Sequence, residues 1–368
     1  MRCQIRDHDL WVRLDGTGDP PTSIKSGGES AAPVHLPSWA RGVGGDADLA
    51  LSLAQQCGSW TPLPGSGATA RRWEILATIA AQDLTAARVA EAHLDASAIL
   101  AEANVDPARD LAALGTGPGS TWGVFAAEGA DVRVDAHQDS DGSWSLIGTK
   151  PWCSLADRLS HALITAHTDA GHRRLFAVAL HDGTVVQVGP KWVSRGLQQV
   201  PSGSIELRST SAFPIGADGW YLARAGFAWG GAGVAACWFG GAVGLGRSIH
   251  AAATLRDPDQ IGLAHLGAVD VALTGVRCVL AAAARQIDAG RADGQDGVIL
   301  AGRVRAAASS AAEEVLARSA HALGPAPLAF DADHARRVAD LQTYVRQHHA
   351  ERDYAALGRA VLADGAPW

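Results

Sequence analysis

The sequence predicts a mostly helical α+β protein with an N-terminal helical domain, a central antiparallel β-barrel or sandwich and a C-terminal four-helix bundle. Two changes of hydrophobic period carry this prediction. Apolar residues recur three to four positions apart before residue 121, alternate in short runs over residues 121–215, and return to helical spacing over residues 216–368. No helical segment separates the short runs, so a parallel βαβ sheet does not fit the pattern.

The composition is that of a globular protein. The 368 residues suffice for two or three domains, and 47% of them are hydrophobic while 19% are charged. The net charge of −7 argues against binding of nucleic acid through a broad basic surface. Five scattered Cys without a CxxC pair argue against a disulfide framework and a thiolate zinc site. We therefore expect a cytoplasmic protein without a bound metal.

The N-terminal third divides into two parts. Residues 1–45 are rich in Gly, Pro and Ser and contain no signal-peptide core, so we expect a flexible N-terminal arm. Residues 46–120 carry a helical pattern, with Trp73, Leu76 and Ile79 each three positions apart. This segment is expected to form core helices without a chemical role.

The central segment, residues 121–215, is the predicted β domain. Its short apolar segments include RLFAVALH and SIELRST, and they are separated by the turn sequences DSDG, TDAG, HDG and PSG. Spacings of about 10 to 14 residues favour about seven strands in a small barrel or sandwich.

The C-terminal segment, residues 216–368, is the predicted bundle. Helices are expected near residues 227–255, 263–291 and 298–323, followed by a final pair split near His348. The uncharged run over residues 225–246 holds eight Gly, which favours a buried core helix over a membrane span.

The order of a helical domain, a β domain and a helical bundle resembles the acyl-CoA dehydrogenase family, and so do three short sequence segments. The resemblance covers about residues 46–365. The most specific is DGSWSLIGTKPWCSLADRLSHALITAHT, and the matching residues are Trp144, Leu146, Gly148, Lys150, Trp152, Ser154, Ala156 and Asp157. The strings PKWVSRGLQQVPSGSIELRSTSAFP and RVADLQTYVRQHHAERDYAALGRAVL are similar to the closing β strand and to the last two helices of the family. The chain is identified as a divergent member of that family.

The resemblance implies FAD as the cofactor. The indole of Trp152 would pack on one face of the isoalloxazine, and the Ser154 hydroxyl would hydrogen-bond to its N5 or O4 edge. The alternative is a strand-end turn with a core tryptophan, and the string alone does not decide between the two.

Other positions depart from the family pattern. Where members carry Thr-Glu-Pro and a Gly-Ser-Asp loop, this chain has VFAAEGADVRVDA, which leaves Phe125 and the backbone amides near Ala127 as cofactor contacts. Arg256 lies two residues before the position of the family's phosphate-binding Arg, and a solvated helix end is the alternative. Gly324 remains from a Gly-Gly-x-Gly turn, with a plain helix cap as the alternative.

The catalytic base also differs from the family pattern. No Asp or Glu occurs between Asp218 and Asp257, which excludes a base from the first bundle helix. His348 occupies the position of the family's loop Glu, and Glu351 follows three residues later. An imidazole can serve as a base near neutral pH, and a flavin monooxygenase branch of the family also uses a His in this region. The alternative is a polar pair of histidines at a helix end.

We therefore expect an FAD-dependent oxidoreductase, active as a homodimer or homotetramer, with the isoalloxazine between Trp152 and His348. Its reaction would be α,β-dehydrogenation of an acyl thioester or related flavin chemistry on a small molecule, with an acyl-CoA as one candidate. The sequence does not identify the electron acceptor. One alternative is an inactive subunit that pairs with an active homologue, and a less favoured one is an acyl-CoA binding protein without redox activity. No nucleic acid or membrane partner is expected.

Overall fold

The computed structural model describes residues 7–15, 33–168 and 171–365. In chain order, the helices are α1 Leu36–Val43, α2 Ala47–Gly58, α3 Thr69–Gln82, α4 Leu84–Glu102, α5 Pro107–Asp110, α6 Trp220–Ala223, α7 Ala225–Leu255, α8 Gln260–Asp288, α9 Gly294–Leu323, α10 Ala326–Phe330, α11 Ala332–Tyr344 and α12 Glu351–Asp364. The strands are β1 Trp122–Phe125, β2 Val134–Gln138, β3 Trp144–Ser154, β4 His161–His167, β5 Arg173–Ala179, β6 Val185–Val188 and β7 Ser202–Ile215.

The chain divides into two units. The first comprises the described parts of residues 1–91, 194–197 and 228–368, and the second comprises those of residues 92–193 and 198–227. The first unit is helical, and the second contains all seven strands of the described chain.

Aspartates fix the starts of several helices in the first unit. The Asp46 carboxylate accepts hydrogen bonds from the first backbone amides of α2, and Asp331 does the same for α11. Asp259 accepts the amide of Gly262 at the start of α8 at 2.8 Å. Each carboxylate satisfies an amide that has no partner within its helix and lies at the positive end of the helix dipole.

Part of the predicted N-terminal arm is packed. Trp11, Val12 and Leu14 are each 4% exposed, and the backbone amide of Val12 donates to the hydroxyl of Thr78 at 2.9 Å. Helix α1 lies within the same predicted arm and buries Leu36 completely. The expectation of a flexible arm is therefore wrong for residues 7–15 and 33–45, because these apolar side chains find a helical surface to cover. Residues 1–6 and 16–32 of that arm lie outside the described residues.

The second unit is a β-barrel. Strands β4, β2, β3, β7 and β5 pair in this order, and β5 pairs again with β4, which closes the ring. Strands β1 and β6 pair with β4 and β7, respectively. The pairings are antiparallel except those of β4 with β1 and β2, which are parallel. The expected antiparallel domain is thus corrected at β4, because the β2–β3 hairpin separates β1 from β4 and gives a connection long enough for parallel pairing.

Apolar side chains from α4 and the barrel share one core in the second unit. Ile99 and Leu100 of α4 pack in this cluster with Trp122 of β1, Leu163 of β4 and Ile215 of β7. The apolar faces of the strands are thereby removed from water, which is the main stabilising term for such a domain.

The uncharged run in α7 is confirmed as a buried helix, since Ala235, Trp238 and Leu245 are fully buried. By length and hydropathy, α7 and α8 are the two helices of the described chain that could cross a membrane; the apolar window of α7 is 72% buried and that of α8 is 22% buried. This test does not by itself distinguish a core helix from a membrane span.

Candidate functional site

Trp152 lies in a distorted turn at the end of β3. The register between β3 and β7 shifts between Lys150 and Cys153, and Trp152 has a φ of 60° while Leu155 has a φ of 54°. Such left-handed conformations cost free energy for residues other than Gly and concentrate at functional sites. The indole is 63% exposed, so the alternative of a core tryptophan is wrong. The bulge holds a flat aromatic surface toward the outside of the barrel.

Ser154 is half-buried and sits two residues beyond the indole. Its Oγ lies 2.8 Å from the Oγ of Ser202, its cross-strand partner in β7. The Ser202 hydroxyl also donates to the carbonyl of Val200 at 3.2 Å. The sequence analysis missed Ser202, which only the β3–β7 register brings beside Ser154.

The segment after β1 lies next to this turn. A side chain at Gly129 would come within 3.5 Å of Pro151 Cγ. Ala127 is exposed, whereas the Phe125 side chain is 2% exposed and contacts the position of Gly123. The Phe125 side chain therefore belongs to the barrel interior, and the expectation of a side-chain contact from it to a cofactor is corrected.

A buried lysine holds that segment in place. The Lys150 ammonium donates to Glu128 Oε1 at 2.8 Å and to the carbonyl and hydroxyl oxygens of Thr165 at 2.9 Å each. All three of its hydrogens are thereby used. Glu128 also accepts from His167 at 3.2 Å and pairs with Arg173 at 3.5 Å.

The electrostatics of this pair follow from burial and charge. Burial lowers the pKa of Lys150, and the Glu128 carboxylate opposes that shift. Burial raises the pKa of Glu128, but the hydrogen bonds and charges of Lys150, His167 and Arg173 outweigh it and lower that pKa overall. The 2.8 Å contact between the two groups makes the loop after β1 a fixed neighbour of the Trp152 turn.

His348 lies in the first unit, between a short 3-10 turn and α12. Its side chain is 4% exposed, and its ring lies edge-on to the rings of Trp238 at 6.4 Å and Tyr354 at 5.4 Å. Nε2 is 3.9 Å from Asp353 Oδ2, beyond hydrogen-bond length, and neither ring nitrogen bonds to another described residue.

The surroundings of His348 keep the imidazole neutral near pH 7. Burial lowers its pKa, Asp353 and Glu313 raise it, and Arg305 and Arg346 lower it. Arg305 itself is anchored by the carbonyls of Gly231 at 3.2 Å and Gln347 at 2.7 Å.

Glu351 does not join this cluster. Its side chain is exposed at the first turn of α12, and the carboxylate beside His348 is that of Asp353. The sequence analysis missed Asp353, although its position near two histidines and a helix start was a usable signal.

The two remaining candidates lie apart from His348 in the described contacts of the first unit. Arg256 is exposed at the end of α7, and within the described chain its guanidinium has no hydrogen bond or ion pair. Gly324 ends α9 with a φ of 67°, and its amide donates to the carbonyl of Ala320 at 3.0 Å. Gly324 thus forms the plain helix cap that the sequence analysis held as its alternative.

The structure therefore forms two clusters of candidate residues. The second unit brings together Trp152, Ser154, Ser202 and the loop around Ala127. The first unit brings together His348, Asp353, Arg305, Trp238 and Tyr354.

Comparison with solved structures identifies the fold. The chain is similar to KijD3 in complex with FMN and a dTDP-linked sugar, with a TM-score of 0.74 and 20% identity over 91% of this chain and 92% of that chain. TdsC from a Paenibacillus species, in complex with FMN and indole, gives a TM-score of 0.74 and 16% identity over 90% of this chain and 96% of that chain.

Butyryl-CoA dehydrogenase from Megasphaera elsdenii gives a TM-score of 0.69 and 16% identity over 89% of this chain and 97% of that chain. No protein-family model matches the sequence, and no curated protein sequence matches it. The chain has the acyl-CoA dehydrogenase fold, in a strongly divergent sequence, and the fold expected from the sequence is confirmed.

Proposed function

We propose that the protein is a flavin-dependent oxidoreductase that binds the isoalloxazine against the Trp152 turn. The observation that carries this proposal is the indole of Trp152, 63% exposed on a backbone with a φ of 60°. An exposed aromatic face on a strained turn has no structural explanation within the barrel, and a planar ring system is the ligand that it fits.

The neighbouring groups fit the edge of such a ring. The hydroxyl of Ser154 and the backbone amides near the exposed residue Ala127 would offer polar contacts to the ring edge. The Lys150–Glu128 ion pair keeps the loop in position, so little ordering is needed when the ligand binds. When bound, the flavin would supply a two-electron acceptor, and the chain would supply its position and polar environment.

We further propose that His348 is the base of this enzyme. A neutral imidazole whose ring nitrogens bond to no other residue of the described chain can accept a proton near pH 7 on the nitrogen that carries no hydrogen. Because the Glu351 side chain is exposed and unpaired with His348, the protein departs from an enzyme that uses a loop glutamate for acyl thioester dehydrogenation. We therefore favour related flavin chemistry on another small molecule, with an acyl thioester as the second candidate. TdsC is named as a dibenzothiophene monooxygenase and another similar structure as a nitrososynthase, which agrees with this preference.

The test is a titration of the purified protein with flavin, followed by visible absorbance and quenching of flavin fluorescence. The resemblance in sequence implies FAD, which we propose as the cofactor, while KijD3 and TdsC are named with FMN, so both flavins are titrated. Saturable binding of FAD supports the full proposal. Binding of FMN alone supports the flavin site and overturns the choice of FAD.

Trp152→Ala is expected to weaken flavin affinity by about tenfold or more, because one stacking contact contributes about 1–3 kcal/mol. Trp152→Phe should restore part of that affinity. The control is Trp39→Ala, which removes a 42% exposed indole from α1 in the first unit. Equal affinities of the Trp152→Ala variant and the wild type would contradict the assignment of this turn.

The alternative function is an inactive subunit that pairs with an active homologue. The absence of the family's loop glutamate favours it, and so does the altered phosphate-binding segment near Arg256. If the purified chain binds neither flavin at millimolar concentration, this alternative replaces the enzyme proposal.

A further inference from the structure

The segment between His348 and α12 is strained. Ala350, the residue before α12, has a φ of 47° and a ψ of −117°, a region that residues other than Gly rarely occupy. The strain turns the chain so that the first turn of α12 comes back toward the buried imidazole. Asp353, the third residue of α12, is the side chain that this turn delivers.

The Asp353 carboxylate is held in one orientation. Its Oδ2 accepts the backbone amide of His349 at 3.1 Å, and its Oδ1 lies 3.3 Å from Nδ1 of the same residue. A carboxylate at the third position of a helix that reaches back to an amide before the helix is a stable capping arrangement. The carboxylate is thus fixed with Oδ2 3.9 Å from both His348 Nε2 and Arg305 Nη2.

We propose that Asp353 is a positioning residue that holds the proton of His348 on Nε2 and leaves Nδ1 as the basic atom. This inference rests on the proposed function, in which His348 is the base. Removal of a substrate proton would place that proton on Nδ1 and give an imidazolium ion with one hydrogen on each nitrogen. The fixed carboxylate would stabilise the positive charge, and the proton would leave Nδ1 when the base is regenerated.

Other charges around the imidazole explain why such a partner is needed. Arg305 of α9 and Arg346 of the preceding turn disfavour a second positive charge, while Glu313 of α9 favours it. The guanidinium of Arg305 is fixed by two backbone carbonyls and lies 4.9 Å from the centre of the Trp238 ring, so it cannot easily move away. Among the described residues, Asp353 is the acid closest in contact to the His348 ring.

The experiment is a pH titration of the imidazole nitrogens by long-range proton–nitrogen NMR of the full chain, with the His348 signals identified through His348→Gln. The wild type is expected to show His348 as the Nε2–H tautomer. Asp353→Asn is expected to reduce that tautomer preference and to lower the His348 midpoint by about one pH unit, since a charge partner at this distance shifts a pKa by about that much or more. Asp353→Glu should restore both.

The matched control is Asp364→Asn, which removes an exposed negative charge from the last residue of α12. It should leave the tautomer and midpoint of His348 unchanged. If Asp353→Asn is poorly folded, Asp353→Ser, which also removes the negative charge and can still cap the helix, takes its place with the same two expected changes.

An unchanged tautomer and midpoint in Asp353→Asn, or an Nδ1–H tautomer in the wild type, would overturn the inference. The outcome is separable from that of the proposed function. If the protein binds no flavin but His348 titrates as expected, the His348–Asp353 interaction is supported and the proposed enzyme function is not. In the flavin-bound Asp353→Asn variant, the pH midpoint of flavin reoxidation by oxygen should be lower than in the wild type, by the same amount as the NMR midpoint of His348.

Discussion

Asp340 is a buried carboxyl group that supports a strained backbone. Its Oδ1 accepts the amide of Leu197, which has a φ of 49°, at 2.6 Å. Burial raises the pKa of Asp340 to about 6; Asp83 adds to this shift, while the Leu197 amide, Arg336 and Arg337 oppose it. The folded protein therefore binds this proton more tightly than the unfolded chain does. The stabilisation is complete below about pH 4 and is lost as the pH rises through about 6.

Asp340→Asn is accordingly expected to stabilise the protein at pH 8 by about 1–2 kcal/mol, because it removes a buried charge and keeps the oxygen that accepts the Leu197 amide. The gain should shrink toward zero at pH 4. Asp340→Ala should destabilise at both pH values, since it leaves that amide without its acceptor. Urea unfolding at the two pH values measures these differences, and a larger gain at pH 4 than at pH 8 would contradict the argument.

The crossing of α3 and α7 in the first unit depends on a residue without a side chain. A Cβ atom at Gly240 would lie 2.7 Å from the Cα of Ala77 and would also clash with its carbonyl. These are backbone atoms of a packed helix, which cannot yield as the end of a flexible side chain can. The close approach of α3 thus explains why position 240 of α7 is a glycine.

Gly240→Ala is expected to destabilise the protein by about 2–3 kcal/mol, because the two helices must separate. The same substitution at Gly267 of α8, where no atom lies within 4 Å of the added Cβ, should stabilise by about 0.5–1 kcal/mol through helix propensity. Thermal unfolding of both variants gives the comparison. Equal effects at the two positions would mean that the crossing relaxes at little cost.

Local sequence was sufficient for the elements but not for the contacts of the site. The strands of the barrel and the long helices follow from hydrophobic period, and Trp152 follows from a short string. Ser202, by contrast, meets Ser154 only through strand register, and Lys150 meets Glu128 across 22 residues of sequence. The exposure of the Trp152 indole depends on a β-bulge. Asp353 comes close to His348 because Ala350 has a positive φ, which an alanine in the sequence does not predict.

At the scale of the whole molecule, the order of the segments was predictable, while the packing of the N-terminus was not. Composition alone suggested a flexible arm, because Gly, Pro and Ser dominate residues 1–45. The apolar residues Trp11, Val12 and Leu14 are buried nonetheless, and Thr78 and Glu74 of α3 accept the backbone amides of Val12 and Leu14, respectively. A few buried apolar side chains, with hydrogen-bond acceptors for nearby backbone amides, can therefore keep part of a segment packed even when its average composition predicts flexibility.

Helix α8 leaves apolar surface in contact with water. Leu263 is 54% exposed and Val271 is 73% exposed, and their spacing of eight residues places them on one face of the helix. The helix has 29 residues and is therefore about 44 Å long, enough to contribute to an interface of ordinary size. Burial of such a face is favourable, and we propose that a second copy of the chain covers it.

The double variant Leu263→Asp, Val271→Asp is expected to be monomeric at concentrations where the wild type is dimeric or tetrameric, because each added carboxylate would have to leave water for an apolar interface. Light scattering after size exclusion measures the mass. Leu362→Asp on α12, at an 83% exposed position, introduces one such charge away from α8 and should leave the mass unchanged. A monomeric wild type, or a double variant of unchanged mass, would contradict the proposal that a second copy of the chain covers the apolar face of α8.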